Sequence, residues 1–318
     1  MPEMIGALLN GRYRLDAELG RGGMGRVYGA HDTLLDRQVA VKVLSAPELG
    51  TEGRARLLGE AQAAAGLNHP NIVSVHDAGE AQVPDRTDAL PFVVMELVEG
   101  PSLHDRRPES LAETVSIARQ VCAALEHAHA RGIIHRDLKP ENVLLSLGPR
   151  QRTRPPAGTR PQAGTGATAK LSDFGLARSV ASRLTVEGTV VGTVFYLAPE
   201  LALGQDYDGR ADLYALGVML YELATGRLPF IADDPLAVIS QHLHAPAVPP
   251  RARDEGIPPA FDALVLRLLS KDPQDRPASA AEVQRALEAP DILDRDAVPA
   301  RELSVLERIE RGRLVARE

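Results

Sequence analysis

The sequence predicts an α+β chain: an antiparallel sheet with one helix in its first hundred residues, then a larger, mainly helical part. Three observations predict it. Between Tyr13 and Glu96, short runs that alternate or are wholly apolar are separated by glycine and polar turns, which is the pattern of strands. Among them one stretch, Glu52 to Leu67, is rich in Ala, Leu and Arg and has helical period. After Gly100 the long runs are helical, beginning with Leu111 to Arg131, which Gly132 ends.

Composition narrows the function classes. A chain of 318 residues with 44% hydrophobic and 25% charged residues can bury a core in one two-lobed domain or in two small ones. Only 3% is aromatic and Trp is absent, so that core is built from Leu, Val and Ala. The net charge of −7 gives no general attraction to nucleic acid or anionic lipid. The single cysteine, Cys122, excludes an intrachain disulfide framework and fits a reducing compartment. Residues 1–12 lack the basic region and apolar stretch of a signal peptide, and no window approaches about 18 uninterrupted apolar residues. A cytoplasmic chain without a membrane segment is the expectation.

In chain order, Tyr13 to Leu19 alternates as a strand and leads into Gly20-Arg21-Gly22-Gly23-Met24-Gly25. This G-x-G-x-x-G spacing also occurs in dinucleotide-binding folds, where it opens a helix. Here Arg26 to His31 is strand-like and contains Gly29, so a strand–glycine turn–strand flap is expected, its backbone N–H groups free to approach phosphates. Gln38 to Leu44 is an apolar strand interrupted by Lys42; a lysine in such a place needs a partner carboxylate or an anion. Glu60 on the following helix offers one. Ile72 to His76 and Pro91 to Glu96 read as two more strands, joined by the polar loop Glu80 to Ala89.

The chemistry concentrates in His135-Arg136-Asp137-Leu138-Lys139-Pro140-Glu141-Asn142. Within eight residues lie a carboxylate to orient a hydroxyl, a cation to neutralise a transferred phosphoryl and an amide oxygen to hold a metal ion. Asp173-Phe174-Gly175 follows Asp137 by 36 residues, directly after a short strand, and supplies a carboxylate as the second metal-ligating element beside the amide. Residues 147–169 between them hold four Pro, four Gly, four Thr and four Arg but no acid, the composition of a disordered basic loop. His127, His129 and His135 do not share the spacing of a metal cluster, nor do His242 and His244.

H-R-D-L-K-P-E-N, the glycine flap, V-A-V-K, H-P-N-I, D-F-G and A-P-E stand in the order of the eukaryotic-type protein kinases, and residues 13–288 resemble a bacterial serine/threonine member of that family. The resemblance implies the bilobal kinase fold, with residues 1–98 as the sheet lobe, 99–290 as the helical lobe and 291–318 as a linker and tail. It implies ATP and Mg²⁺ as cofactors, with Mn²⁺ as an alternative ion. It implies transfer of the γ-phosphoryl to Ser/Thr hydroxyls of protein substrates, with autophosphorylation in trans through a homodimer. The implied catalytic set is Asp137, Lys139, Lys42 and its partner Glu60, with Asn142 and Asp173 on the metal. Nucleotide contacts are implied for Leu19, Gly20, Gly22, Gly23, Gly25, Val27, Ala40, Lys42, Met95 (the gatekeeper), Glu96, Val98 and Leu144.

Thr185 and Thr189 are the implied phosphosites facing Arg136, because a phosphate adds about −1.5 to −2 charge. Thr193 is implied to bond the catalytic Asp and Lys, Asp212 to brace the catalytic loop, and Glu200 to pair with Arg276. The chain departs from the family at Ala64, where a larger apolar side chain is usual, and in the short linker from Pro101 to Ser110. A kinase-shaped scaffold and a small-molecule phosphotransferase are the alternative functions.

Overall fold

The computed structural model describes residues 4–22, 25–44, 51–82, 89–146, 167–174 and 193–296, with backbone alone at 51–57 and 193. The chain divides into two compact units, residues 1–106 with 123–179, and residues 107–122 with 180–318.

The first unit is built on a six-stranded antiparallel sheet of order β1-β2-β3-β4-β6-β5. Its strands are β1 (Leu8–Leu9), β2 (Tyr13–Gly22), β3 (Gly25–Asp32), β4 (Arg37–Leu44), β5 (Val75–Ala81) and β6 (Leu90–Met95). Sequence explains the placement. β4 and β6 are apolar on both faces, so they take the centre of the sheet, where both faces are covered. Val39, Val41 and Val43 pack on one face with Tyr13, Leu15, Tyr28, Phe92 and Val94. With a period of two, Ala40, Lys42 and Leu44 turn to the other face, where Ala40 and Leu44 join Ala61, Val73, Val93 and Met95 under helix α1 (Thr51–Ala65).

β2 slips register against β3 between Leu15 and Ala17 and between Glu18 and Gly20, the mark of β-bulges on the way to its glycine end. Gly22 pairs with Gly25 to close the flap. A Cβ at Gly25 (φ 145°) would lie 2.1 Å from the Val43 carbonyl oxygen, so glycine is needed there against the neighbouring strand, whatever it does for a ligand.

The rest of this unit is the end of helix α2 (Leu111–His129), the 3₁₀ turn Pro140–Asn142, and the two-stranded sheet of β7 (Val143–Ser146) with β8 (Thr168–Leu171). Two expectations need correction. Strand β5 begins at Val75 rather than Ile72, because Ile72 bridges Leu171 and the Val73 N–H donates to the Leu171 carbonyl. The stretch read as a loop to residue 169 ends earlier: Thr168 pairs with Ser146 and Ala169 with Leu145. The remainder of that stretch lies outside the described residues.

In the second unit, α3 (Pro199–Ala202), α4 (Arg210–Thr225), α5 (Pro235–His244), α6 (Pro259–Leu268) and α7 (Ala280–Glu288) follow one another. α4 is buried continuously from Ala211 to Glu222, as its apolar sequence requires. Gly217 lets α4 approach α6, since a Cβ there would meet the Leu268 Cβ at 2.6 Å. Ser279 caps α7 by accepting the Glu282 N–H, and Asp234 caps α5 by accepting that of Leu236. Cys122, inside α2, is fully buried. Of the linker and tail expected at 291–318, residues 297–318 lie outside the described residues.

Candidate active site

Lys42 reaches the site because β4 places it on the α1 face of the sheet, and only 9% of its side chain is exposed. Its Nζ lies 2.9 Å from Oδ2 of Asp173, two residues beyond β8. Asp173 has left-handed backbone (φ 63°), as does Arg136 (φ 68°). For residues with a Cβ this conformation costs of order 1 kcal/mol and collects where geometry serves a site. Burial pushes the Asp173 carboxyl upward, and the charge and hydrogen bond of Lys42 outweigh it, leaving the acid below its usual range and ionised at neutral pH.

The catalytic-loop candidates form a second knot. Asp137 Oδ2 accepts from Lys139 Nζ at 2.8 Å and from Asn142 Nδ2 at 3.1 Å. The same Nδ2 donates to the Asp137 carbonyl at 2.7 Å. With its nitrogen turned to Asp137, the Asn142 amide has its oxygen as the end suited to a hard cation. Ser172 joins the two knots: its N–H and its hydroxyl both donate to the Asn142 carbonyl, at 2.9 and 3.1 Å. His135, fully buried, completes the junction. Its Nε2 donates to the Ser172 carbonyl (2.8 Å) and its Nδ1 accepts the Asp137 N–H (3.2 Å), a set that fits the neutral Nε2–H tautomer. Its ring meets Phe174 edge-on at 4.7 Å. Sequence reasoning weighed His135 only as a metal ligand and missed this role, though its place two residues before Asp137 was the available signal.

Glu60 is the departure. It was expected on Lys42, but faces Arg136 at 3.6 Å, and no Lys42–Glu60 ion pair occurs among the described residues. The physical reason is competition: the Lys42 ammonium holds the partly buried Asp173 carboxylate, while the left-handed turn at Arg136 presents a guanidinium to α1. Beside it, Ala61 and Ala64 face a cavity of about 20 Å³, opposite Ile72, Val93, Met95 and Phe174. That is room for roughly one water, left by two alanines on the packed face of the helix.

Among the nucleotide candidates, Val27, Ala40, Met95, Val98 and Leu144 belong to one apolar cluster. The Glu96 N–H is taken by the Ser74 carbonyl (2.8 Å), and the Glu96 carboxylate by Lys170. Leu19 is 55% exposed on β2, Gly20 pairs with Val27, and Gly23 lies outside the described residues. Thr185 and Thr189 also lie outside, as does the side chain of Thr193, whose backbone opens the turn Thr193–Tyr196. Asp212 is buried in the first turn of α4. Arg276 spends all five of its N–H groups: two on Glu200 (2.6 and 2.9 Å) and three on the carbonyls of Ser270, Arg210 and Lys271 (2.8, 3.0 and 3.0 Å).

The protein kinase domain family matches residues 13–289, nearly all of the described chain. The chain belongs to the protein kinase family. Serine/threonine-protein kinase PknB of Mycobacterium tuberculosis is 41% identical over 288 residues, covering 88% of this kinase chain and 43% of that protein. Serine/threonine-protein kinase pkn3 of Myxococcus xanthus is 41% identical over 301 residues, covering 91% and 52%. The crystal structure of a cysteine-to-alanine mutant of the PknI kinase domain of Mycobacterium tuberculosis aligns with a TM-score of 0.67 and 30% identity, over 91% of this chain and 98% of that one. An antiparallel sheet followed by a mainly helical part is thus the kinase fold in this chain. The kinase chain spans 40% to 43% of the length of relatives such as PknB. Membership implies use of ATP and a divalent metal ion.

Proposed function

We propose that the chain is a serine/threonine protein kinase that transfers the γ-phosphoryl of ATP to protein hydroxyls. The observation that carries the reading is the 2.9 Å pair between Lys42 of β4 and Asp173 after β8, stitched through Ser172 and His135 to Asp137, Lys139 and Asn142. Asp137 would orient the acceptor hydroxyl and take up its proton. Lys139, already on that carboxylate, would turn its ammonium to the transferred phosphoryl. Lys42 would hold the α- and β-phosphates. Asp173 and the Asn142 oxygen suit a hard divalent cation, and we take the ion to be Mg²⁺ rather than Mn²⁺. When bound, that ion neutralises phosphate charge. Since a loose phosphoryl-transfer transition state asks mainly for position and charge, the stitched loop matters more than the basicity of Asp137.

The Glu60–Arg136 pair supports regulation of this activity. A phosphate on Thr185 or Thr189 would give Arg136 a stronger anion and release Glu60 toward Lys42. Phosphorylation in trans within a homodimer, a cytoplasmic setting, and lobes divided near residue 98 with a tail from 291 belong to the same proposal. Among the described residues no helix is long and apolar enough to cross a membrane.

The test is incubation with labelled ATP·Mg²⁺ and a generic basic protein, followed by mass-spectrometric mapping. Label on Ser or Thr that disappears in Asp137→Asn is expected; equal label in wild type and variant would overturn the proposal.

A further inference from the structure

Lys170 lies on β8, a strand of four residues in which Ala169 and Leu171 are buried and Lys170 turns to the opposite side. Its Nζ is 2.9 Å from Oε1 and 3.0 Å from Oε2 of Glu96, so the ammonium straddles the carboxylate. The two side chains are 16% and 30% exposed, which sets the pair apart from freely solvated surface pairs that contribute little. Glu96 is held from the other side as well. Its Oε2 accepts the Ser74 N–H at 3.3 Å, and its own N–H donates to the Ser74 carbonyl.

Three neighbours give this pair its meaning. Glu96 directly follows Met95, in the segment whose backbone borders the apolar Ala40, Met95 and Leu144 cluster. The Lys170 backbone is the register partner of Leu144, which packs against that cluster. Three residues beyond Lys170 stands Asp173, within about 10 Å along an extended chain. One side chain therefore ties the segment beside the adenine slot to the strand that carries the carboxylate facing Lys42. The edge of β8 away from β7 is tied down too, since Asn71 Nδ2 donates to the Ala169 carbonyl at 2.8 Å and the Leu171 N–H donates to the Asn71 carbonyl at 2.8 Å.

We infer that Lys170 is a positioning residue for the nucleotide: through Glu96 it fixes the spacing between the adenine-edge segment and Asp173. The inference rests on the nucleotide-site reading above. A nucleotide bridges both ends of that span, so loosening it weakens ATP binding first. Phosphoryl transfer from ATP once bound is affected less, because Asp137, Lys139 and Asn142 keep their contacts with one another. Neither the ammonium nor the carboxylate has to touch the nucleotide, so the charges can be exchanged without removing a ligand contact.

The experiment measures KM for ATP, kcat and thermal midpoint for wild type, Lys170→Glu, Glu96→Lys and the double exchange, with Asp173→Asn as the reference for the site. Lys170→Glu is expected to raise KM for ATP by roughly tenfold, the factor corresponding to one charge-assisted hydrogen bond, with a smaller change in kcat. The double exchange is expected to restore most of that loss. Lys170→Met, which keeps the stem and removes the charge, carries the same expectation about KM and serves if charge reversal prevents folding. If wild-type transfer depends on Asp173 but KM for ATP in Lys170→Met stays within twofold of wild type, the positioning role is overturned alone. The same holds if the double exchange is no better than either single one, or if only the thermal midpoint moves. If wild type is no more active than Asp173→Asn, the site reading falls and the inference falls with it.

Discussion

Replacing Arg276 by Met should lower the stability of the protein by about 3–5 kcal/mol, the range for breaking a buried ion pair from one side. The magnitude follows from what the guanidinium holds. Arg276 is 2% exposed, and all five of its N–H groups are committed, two to the Glu200 carboxylate and three to backbone carbonyls. Methionine fills the space of the aliphatic stem, so little of the loss is packing. Most of it is the Glu200 carboxylate, 4% exposed, left without its cation. The three carbonyls add about 1 kcal/mol each at most, and less where the chain relaxes. The assay is urea denaturation followed by circular dichroism, with Glu200→Leu/Arg276→Met measured beside the single variant. The double variant should recover a large part of the loss, because no buried charge remains. A single variant within about 1 kcal/mol of wild type, or a double variant no more stable than the single one, would refute the reasoning.

Three further outcomes are expected. Asp137→Asn and Lys42→Met should each reduce kcat by roughly 10²–10⁴-fold while leaving the far-ultraviolet spectrum unchanged, read by labelled-phosphate transfer. Gly217→Ala should cost about 1–3 kcal/mol by urea titration, since the new Cβ would lie 2.6 Å from that of Leu268 and α4 would have to retreat from α6. Burial, with the charge of Lys271 second, holds His242 at about 4 against an ordinary 6.5, so the folded protein keeps it neutral. Between these values the unfolded chain binds a proton that the native state does not, so stability falls as pH drops from 6.5 to 4, by up to about 3 kcal/mol. Urea midpoints across that interval should decline for wild type and decline less for His242→Gln.

Much of the sheet was legible because its signals are local. Val39 to Leu44 is wholly apolar apart from Lys42, and such a run has few places to go but the centre of a sheet. The lysine within it announced a buried partner, and the strand ahead of Asp173 placed that carboxylate. What stayed hidden depended on chain segments far apart in sequence. The identity of the carboxylate on Lys42 is decided by how α1 sits, which no helical period records. Ile72 and Val73 look like strand residues, yet their backbone partner is Leu171, so β5 starts three residues later. Lys170 and Glu96 are 74 positions apart, and neither is unusual in its own neighbourhood. Gly25 was legible as a glycine but not as one crowded by the Val43 carbonyl.

Cys122 is the chain's sole sulfhydryl, and it is sealed inside α2. The natural sequence is therefore already a silent background for maleimide chemistry. A cysteine substituted for Leu34, which is 71% exposed at the hairpin between β3 and β4, would give the protein one reactive handle. A fluorophore or spin label attached there could report on the sheet without any other side chain being altered.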